Sequence, residues 1–122
     1  MSDLSEGFRS IVDGFREDVG DDLVLLAVFT PDGISLYSSL PPDVMEEFFL
    51  ASSSSILEIS KALLDHLGMG AVERCRLESD GAYIYLVPLS EDIYLSAALR
   101  KGADEERLRD FVDELRSFLR SD

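Results

Sequence analysis

The sequence predicts an α+β fold in three layers, with a five-stranded antiparallel sheet between one long helix and two terminal helices. Apolar residues recur at steps of three and four in residues 3–19 and again after Asp104, which indicates an amphipathic helix at each end of the chain. Ser2 or Asp3 can cap the first of these helices and Asp104 the last. Five short apolar or alternating segments lie between them, and a helical pattern over residues 43–67 follows the second segment. Pro42 suits the first turn of this helix, and Gly68 and Gly70 should end it. A chain of 122 residues supports one core, so residues 1–122 are expected to form a single domain.

The first two strands are predicted to form a hairpin. Leu23–Phe29 is apolar at every position, as in a strand that is covered on both faces. Thr30 and Pro31 then lead into the turn residues Asp32 and Gly33, where glycine takes the positive φ that a tight turn requires. Residues 34–39 alternate apolar and polar side chains, which is typical of a half-exposed strand.

The exposure of the strands predicts their order in the sheet. Residues 71–79 carry charges on both faces, which favours an edge strand, whereas residues 82–89 and 93–99 are largely apolar and should be interior. Short turns join the third strand to the fourth and the fourth to the fifth. The order that satisfies these conditions is 2-1-5-4-3, with the long helix on one face and the terminal helices on the other.

The long helix carries two apolar stripes, although a small domain needs only one. The broader stripe is predicted to face the core, and it contains Val44, Met45, Phe48, Phe49, Ile56, Ile59, Ala62, Leu63 and Leu67. Beside it, Leu50, Leu57 and Leu64 recur every seven residues. We expect this leucine seam to contact a partner, with Ser53 and Ser60 allowing close approach of the backbones; the alternative is that it widens the core stripe.

The charge of the chain restricts its partners. A net charge of −14 makes nucleic acid and anionic membrane surfaces improbable partners, because both are polyanions. A partner with a basic patch is compatible with this charge, and a merely soluble acidic surface, as a high-salt cytoplasm favours, is the alternative. The sequence has no apolar run of 18 residues and no signal-peptide pattern, so we expect a cytoplasmic protein without membrane insertion.

Motifs for enzyme chemistry are absent from the sequence. It has no glycine-rich phosphate loop followed by lysine, no histidine pair at metal-ligand spacing and no nucleophile elbow. We therefore expect a non-enzymatic protein with no catalytic, cofactor-binding or metal-binding residues. Cys75 is the single cysteine, and it shares a strand face with Leu77, which predicts a small core side chain.

The order of these parts resembles the roadblock / dynein light chain family over essentially all of residues 4–120. The resemblance rests on the hairpin LVLLAVFTPDGISLYSS, the long helix after a proline, the hairpin ESDGAYIYLVPL and the closing amphipathic helix. It implies a homodimer, or a heterodimer with a related roadblock chain, in which third strands pair across a two-fold axis and long helices pack side by side. The implied interface contains Val72, Arg74 and Arg76 together with the leucine seam.

The resemblance also implies a function. Members of the family regulate Ras-like small GTPases or act as scaffolds, without binding nucleotide themselves, so we expect a dimeric GTPase regulator or scaffold. Arg74 and Arg76 are then candidates for contact with a carboxylate or phosphate of a partner, and charges that discourage uncontrolled edge pairing are the alternative. From a different class, the alternative function is a small-ligand sensor domain, with an enclosed pocket between the long helix and the tyrosine-bearing strand.

Overall fold

A computed structural model of the protein describes residues 5–120. Ser2 and Asp3, which the sequence offers as caps of the first helix, lie outside this range. The helices are α1 (Glu6–Val19), α2 (Glu46–His66) and α3 (Glu105–Arg120), with a short 3₁₀ turn at Gly20–Asp22. The strands are β1 (Leu23–Phe29), β2 (Ser35–Ser39), β3 (Cys75–Glu78), β4 (Ala82–Pro88) and β5 (Tyr94–Arg100).

The five strands form one antiparallel sheet in the order β2-β1-β5-β4-β3, which confirms the predicted fold class and strand order. Three of its neighbouring pairs are hairpins, and the fourth joins β1 to β5, with Leu26 opposite Ala97. Alternate residues of the central strands enter two separate cores, one on each face of the sheet. The structure therefore has the three predicted layers.

The terminal helices pack together on one face of the sheet. The rings of Phe15 in α1 and Phe111 in α3 stack with their centroids 4.1 Å apart, and both side chains are fully buried. α1 begins after Ser5, whose hydroxyl accepts a hydrogen bond from the Phe8 amide at 3.3 Å. Asp104 caps α3 as predicted, because its carboxylate accepts hydrogen bonds from two backbone amides of the first turn.

α2 alone covers the other face, and it crosses the sheet from one edge to the other. At its start, the Ser38 hydroxyl of β2 donates to Glu46 at 2.5 Å, and near its end Ser60 lies 4.0 Å from Cys75 of β3. Its 21 residues correspond to about 31 Å of helix, enough to span five strands. Each end of α2 therefore lies beside one edge strand.

The boundaries of α2 and β3 differ from the predicted ones. Pro42 lies in a turn, closed by the Val44 amide bonding to the Pro41 carbonyl at 3.0 Å, and not in the first turn of the helix as predicted. Extended backbone at Met45 delays the helix to Glu46. β3 is also shorter than predicted, because the residues after Gly70 reach the sheet edge only at position 75.

Both glycine-containing turns are confirmed. Gly33 adopts φ = 87°, and its amide bonds to the Thr30 carbonyl at 2.8 Å in the turn that contains Asp32. Gly68 ends α2 with φ = 64°, after which the Met69 amide bonds back to the Leu64 carbonyl at 2.9 Å. Residues with a Cβ rarely adopt such positive φ values, so these two positions require glycine.

Two buried serines, one in α2 and one in the strand beneath it, provide a test of how this helix packs on the sheet. The Ser96 hydroxyl of β5 is fully buried and has no hydrogen-bond partner within residues 5–120, whereas the Ser54 hydroxyl donates to the Pro31 carbonyl. We predict that Ser96→Ala raises the free energy of unfolding by about 1 kcal/mol, because it removes an unsatisfied buried group. Ser54→Ala should lower it by about 1 kcal/mol. Urea unfolding measures both values, and a loss of stability in Ser96→Ala would contradict the assignment.

Candidate interaction surface

The open edge of the sheet at β3 is the first part of the candidate surface. Within residues 5–120, β3 pairs only with β4, so one side of its backbone is unpaired. The Ser79 amide bonds to the Ala82 carbonyl at 2.8 Å. Because antiparallel hydrogen bonding alternates along a strand, odd-numbered residues of β3 direct their amides and carbonyls towards β4. Arg76 and Glu78 therefore present theirs to the open side.

The leucine seam of α2 faces its own sheet. Leu50 and Leu57 are buried beside Phe29 and Tyr94, Ser53 is buried, and Leu64 is half-buried against the same core. The prediction that this seam lies outside the core is therefore wrong. Small side chains at Ser53 and Ser60 allow α2 to approach the sheet closely, which is the physical reason for the spacing.

Much of the broader stripe, predicted to be the core face, lies instead on the outside, whereas Phe49 and Ile56 are half-buried against the α2-side core as predicted. The exposed fractions of Met45, Phe48, Ile59 and Leu63 are 73%, 69%, 68% and 56%, and Leu67 is as exposed as Leu63. We call these five residues the outer stripe. Large contiguous apolar patches on a protein surface mark interaction sites, so the outer stripe is the second part of the candidate surface.

The number of apolar positions misled the assignment of faces. The outer stripe holds more and larger apolar side chains than the seam, and a larger apolar face is normally the buried one. The signal that identifies the buried face is the small size of Ser53 and Ser60, seven residues apart on the helix. The buried strand residues Ala27 and Ser96, which are paired neighbours in β1 and β5, are also small. Small residues on both sides of a helix–sheet contact indicate close packing rather than a second interface.

Arg76 is held on the α3 side of the edge by its own chain. Its guanidinium group makes two bonds to Glu105 of α3, at 2.8 and 3.0 Å, and one to Glu78 at 2.8 Å. It also lies over the Tyr83 ring, 4.7 Å from the centroid. The Tyr85 hydroxyl donates to Glu105 at 2.7 Å, and Lys101 pairs with Glu78. We call this group the edge network; it ties β3 and β4 to the start of α3.

The edge network favours the ionised forms of its acids. Hydrogen bonds from Lys101 and then Arg76 lower the pKa of Glu78 to about 2. Hydrogen bonds from Arg76 and then Tyr85 lower the pKa of Glu105. Both carboxylates are therefore charged at neutral pH, and the network is a structural clamp whose donors and acceptors are already matched.

The other predicted edge residues divide between core and surface. Val72 is buried in the α2-side core, so its assignment to an interface is wrong for the same reason as that of the seam. Arg74 is exposed, and its guanidinium group lies 3.8 Å from the Glu73 carboxylate. It lines a small cleft of 190 Å³ together with Arg109 and Arg116. Contact of Arg74 or Arg76 with a partner stays a prediction.

The α2 side of the sheet has a polar contact of its own. The Tyr94 hydroxyl donates to Glu58 and accepts from Lys61 at 3.0 Å, and the first of these bonds lowers the pKa of Glu58. The neighbouring cleft, of about 1030 Å³, is open to solvent. Tyr83 and Tyr85 face α3 and not α2. The layout expected of a small-ligand sensor, an enclosed pocket between the long helix and the tyrosines, is therefore not the one observed.

Two further features concern the described part of the chain only. None of the helices in residues 5–120 is both long and apolar enough to cross a membrane. Within the same residues, no group of three or more histidine, cysteine, aspartate or glutamate side chains is arranged to hold a metal ion. The surface that remains combines an apolar helix face with an open strand edge, which suits it to binding proteins.

A sheet of this order, with one long helix on one face and two terminal helices on the other, defines a roadblock-type domain. The chain belongs to the Roadblock/LC7 domain family, whose model matches residues 22–99. This match confirms the resemblance seen in the sequence. A comparison with curated proteins found no match.

Solved structures of the same fold cover nearly the whole chain. The Roadblock/LC7 domain from Streptomyces avermitilis is 18% identical with a TM-score of 0.79, covering 92% of this chain and 93% of that one. Myxococcus xanthus MglB is 12% identical with a TM-score of 0.81, covering 95% and 97%. A structure described as MglB with tetrameric arrangement is 13% identical with a TM-score of 0.78, covering 93% and 85%. At these identities the likeness establishes the fold.

The two faces of α2 can be separated by matched substitutions. We predict that Leu57→Asp lowers the free energy of unfolding by more than about 3 kcal/mol, because it places a charge without a partner in the core. Ile59→Asp, two residues away on the outer stripe, should leave the fold intact. Circular dichroism during urea unfolding distinguishes the two variants. A folded Leu57→Asp protein would show that the faces are assigned the wrong way round.

The edge network predicts a pH dependence. A carboxylate whose pKa is lowered by folding stabilises the folded state above its unfolded pKa, near 4.5, and this contribution disappears as the pH falls through the folded value. The free energy of unfolding should therefore differ most between wild type and Glu78→Gln near neutral pH. This difference should shrink as the pH falls from about 4.5 to about 2. Urea midpoints over this range measure the difference, and a pH-independent difference would contradict it.

Proposed function

We propose that the protein is a non-enzymatic dimeric regulator or scaffold that binds a Ras-like small GTPase in the cytoplasm. The observation that carries the proposal is the outer stripe of α2 beside the open edge of β3. Membership of the Roadblock/LC7 family supports the class of function, because the resemblance of the sequence implies binding of small GTPases. We assign recognition of the GTPase to the apolar outer stripe, since Arg76 and Glu78 beside the edge already have charged partners within the chain.

A second copy of the chain, or a related roadblock chain, suits the β3 end of this surface. The last turns of α2 run towards β3, where Ser60 lies 4.0 Å from Cys75. Leu63 and Leu67 follow within two turns and are exposed, and Leu77 of β3 is 46% exposed. An isologous dimer would cover this apolar cluster and pair the open strand edge in a single contact. One relative of the same fold is described as MglB with tetrameric arrangement, and this assembly of that protein supports this part of the proposal.

The opposite end of the outer stripe suits a different partner. Met45 and Phe48 lie near β2, because Glu46 between them is bonded to Ser38 of that strand. A dimer formed at β3 leaves this end at a distance from the two-fold axis. We assign it to the GTPase, and the net charge of −14 favours a partner with a basic patch around its apolar contact.

The two ends of the stripe should respond differently to a buried charge. We predict that Leu63→Asp raises the dimer Kd by about 100-fold, because desolvating a carboxylate in an apolar contact costs several kcal/mol. The Phe48→Asp variant should stay dimeric but should no longer bind the GTPase. Size-exclusion chromatography with light scattering measures the mass of each variant. Ile34→Asp, an exposed apolar residue outside the stripe, is the control and should stay dimeric.

The GTPase part requires a separate measurement. Wild type and Phe48→Asp serve as baits in native lysate, in the presence of GDP or of a non-hydrolysable GTP analogue, and mass spectrometry identifies the captured proteins. A small GTPase that is recovered by wild type in one nucleotide state and lost with Phe48→Asp supports the proposal. Recovery of no small GTPase in either state would overturn it, even if the dimer is confirmed.

A further inference from the structure

The charged residues of β3 allow the possible registers of its pairing with a second copy to be compared. The inference from this comparison rests on the proposed dimer and deepens it, because it names which residues meet. In an antiparallel pair of identical strands, the two-fold axis is perpendicular to the sheet, and directly opposite residues lie on the same face. Cys75 packs on the α2 side and Arg76 bonds to α3, so the two faces of β3 are known.

Only four registers place the axis within β3. With the axis at Cys75, Arg74 lies opposite Arg76 of the second copy, which is repulsive. With the axis at Arg76, Arg74 lies opposite Glu78, but the two Arg76 side chains lie directly opposite each other. With the axis at Glu78, Arg76 lies opposite Asp80, but the two Glu78 carboxylates lie directly opposite each other. Like charges directly opposite each other destabilise strand pairing.

The fourth register, with the axis at Leu77, has opposite charges at every charged position on the α3 side. Arg76 lies opposite Glu78 of the second copy, and Glu78 opposite its Arg76. Asp80, in the turn after β3, lies opposite Arg74 of the second copy. Within residues 5–120 of its own chain, Arg74 has only a long ionic contact, 3.8 Å to the Glu73 carboxylate, so it can pair with Asp80. On the α2 side the two Leu77 side chains meet, which covers apolar surface that is exposed in the single chain.

The hydrogen-bonding pattern is compatible with this register, as it is with the other three, so the charges decide between them. Arg76 and Glu78 direct their backbone groups to the open side, so each Arg76–Glu78 pair across the interface can exchange two hydrogen bonds. Leu77 then occupies the closer, non-hydrogen-bonded type of pair at the axis. We infer that the two-fold axis of the proposed dimer passes between the Leu77 residues of the two copies.

Single-cysteine variants test the register directly, because Cys75 is the only native cysteine. A disulfide requires Cα atoms within about 7 Å of each other. With the axis at Leu77, two Cys75 residues are offset by four positions, about 13 Å along the strand. Positions 76 and 78 are each offset by two positions, about 7 Å along the strand in addition to the spacing between strands. Only position 77 meets its own copy.

The experiment compares wild type with Leu77→Cys, Arg76→Cys and Glu78→Cys, each of the three made together with Cys75→Ser. Oxidised glutathione is the oxidant, and non-reducing gels measure the covalent dimer. Leu77→Cys should cross-link at least about tenfold faster than the other proteins, because the effective concentration of its thiols is higher. Ser10→Cys with Cys75→Ser, on the exposed side of α1, gives the rate of random collision.

Light scattering under reducing conditions separates this inference from the proposed dimer. A monomeric wild-type protein would overturn both. A dimer that cross-links fastest at position 75, 76 or 78 would overturn the register alone.

A charge swap provides an independent measurement. Asp80→Arg should raise the dimer Kd by about tenfold, and adding Arg74→Asp should restore it, because each substitution acts at two symmetric contacts. If the double variant shows no recovery, Arg74 and Asp80 do not face each other and the register is wrong.

Discussion

The pairing of β1 with β5 is the contact on which the rest of the structure depends. It is the one pairing in the sheet that no hairpin supplies, and it joins residues about 70 positions apart, such as Leu26 and Ala97. Closing so long a loop costs conformational entropy, which burial of nearly every residue of both strands offsets. Once these strands lie at the centre, β2 and β3 must be the edges. The segment between them must then cross a whole face, and α2 does so.

This constraint explains why most of the fold could be predicted from the sequence. The uniformly apolar strands could only be interior, and the charged β3 could only be an edge, so the order followed without any catalytic or ligand-binding motif. Local signals were equally informative where one residue type is required, as at Gly33 and Asp104. The start of α2 was less predictable, because Pro42 suits both a turn and a first helical turn. In the structure Pro42 lies in a turn, and the helix begins at Glu46, which is bonded to Ser38 of β2.

The candidate surface was harder to predict than the fold because both faces of α2 are apolar. Periodicity shows that two stripes exist, but not which one the sheet covers. The decision comes from the opposing layer, where Ala27 and Ser96 leave room for a helix with serines at its contact points. Larger side chains such as Phe48 would not fit so close to the sheet. The larger apolar face of a helix is usually buried in its own chain. It can be exposed in a single chain when another molecule buries it.

The edge network gives β3 a role beyond that of an open edge. Charged side chains usually protect an edge strand from uncontrolled pairing, and Arg76 and Glu78 are placed to do so here. Their contacts with Glu105 and Lys101 also hold them in fixed positions before any partner arrives. Side chains that are already ordered lose less entropy on association. The same charges can therefore oppose pairing in most registers while lowering the entropic cost of pairing in the one that matches their signs, which makes the edge selective rather than closed.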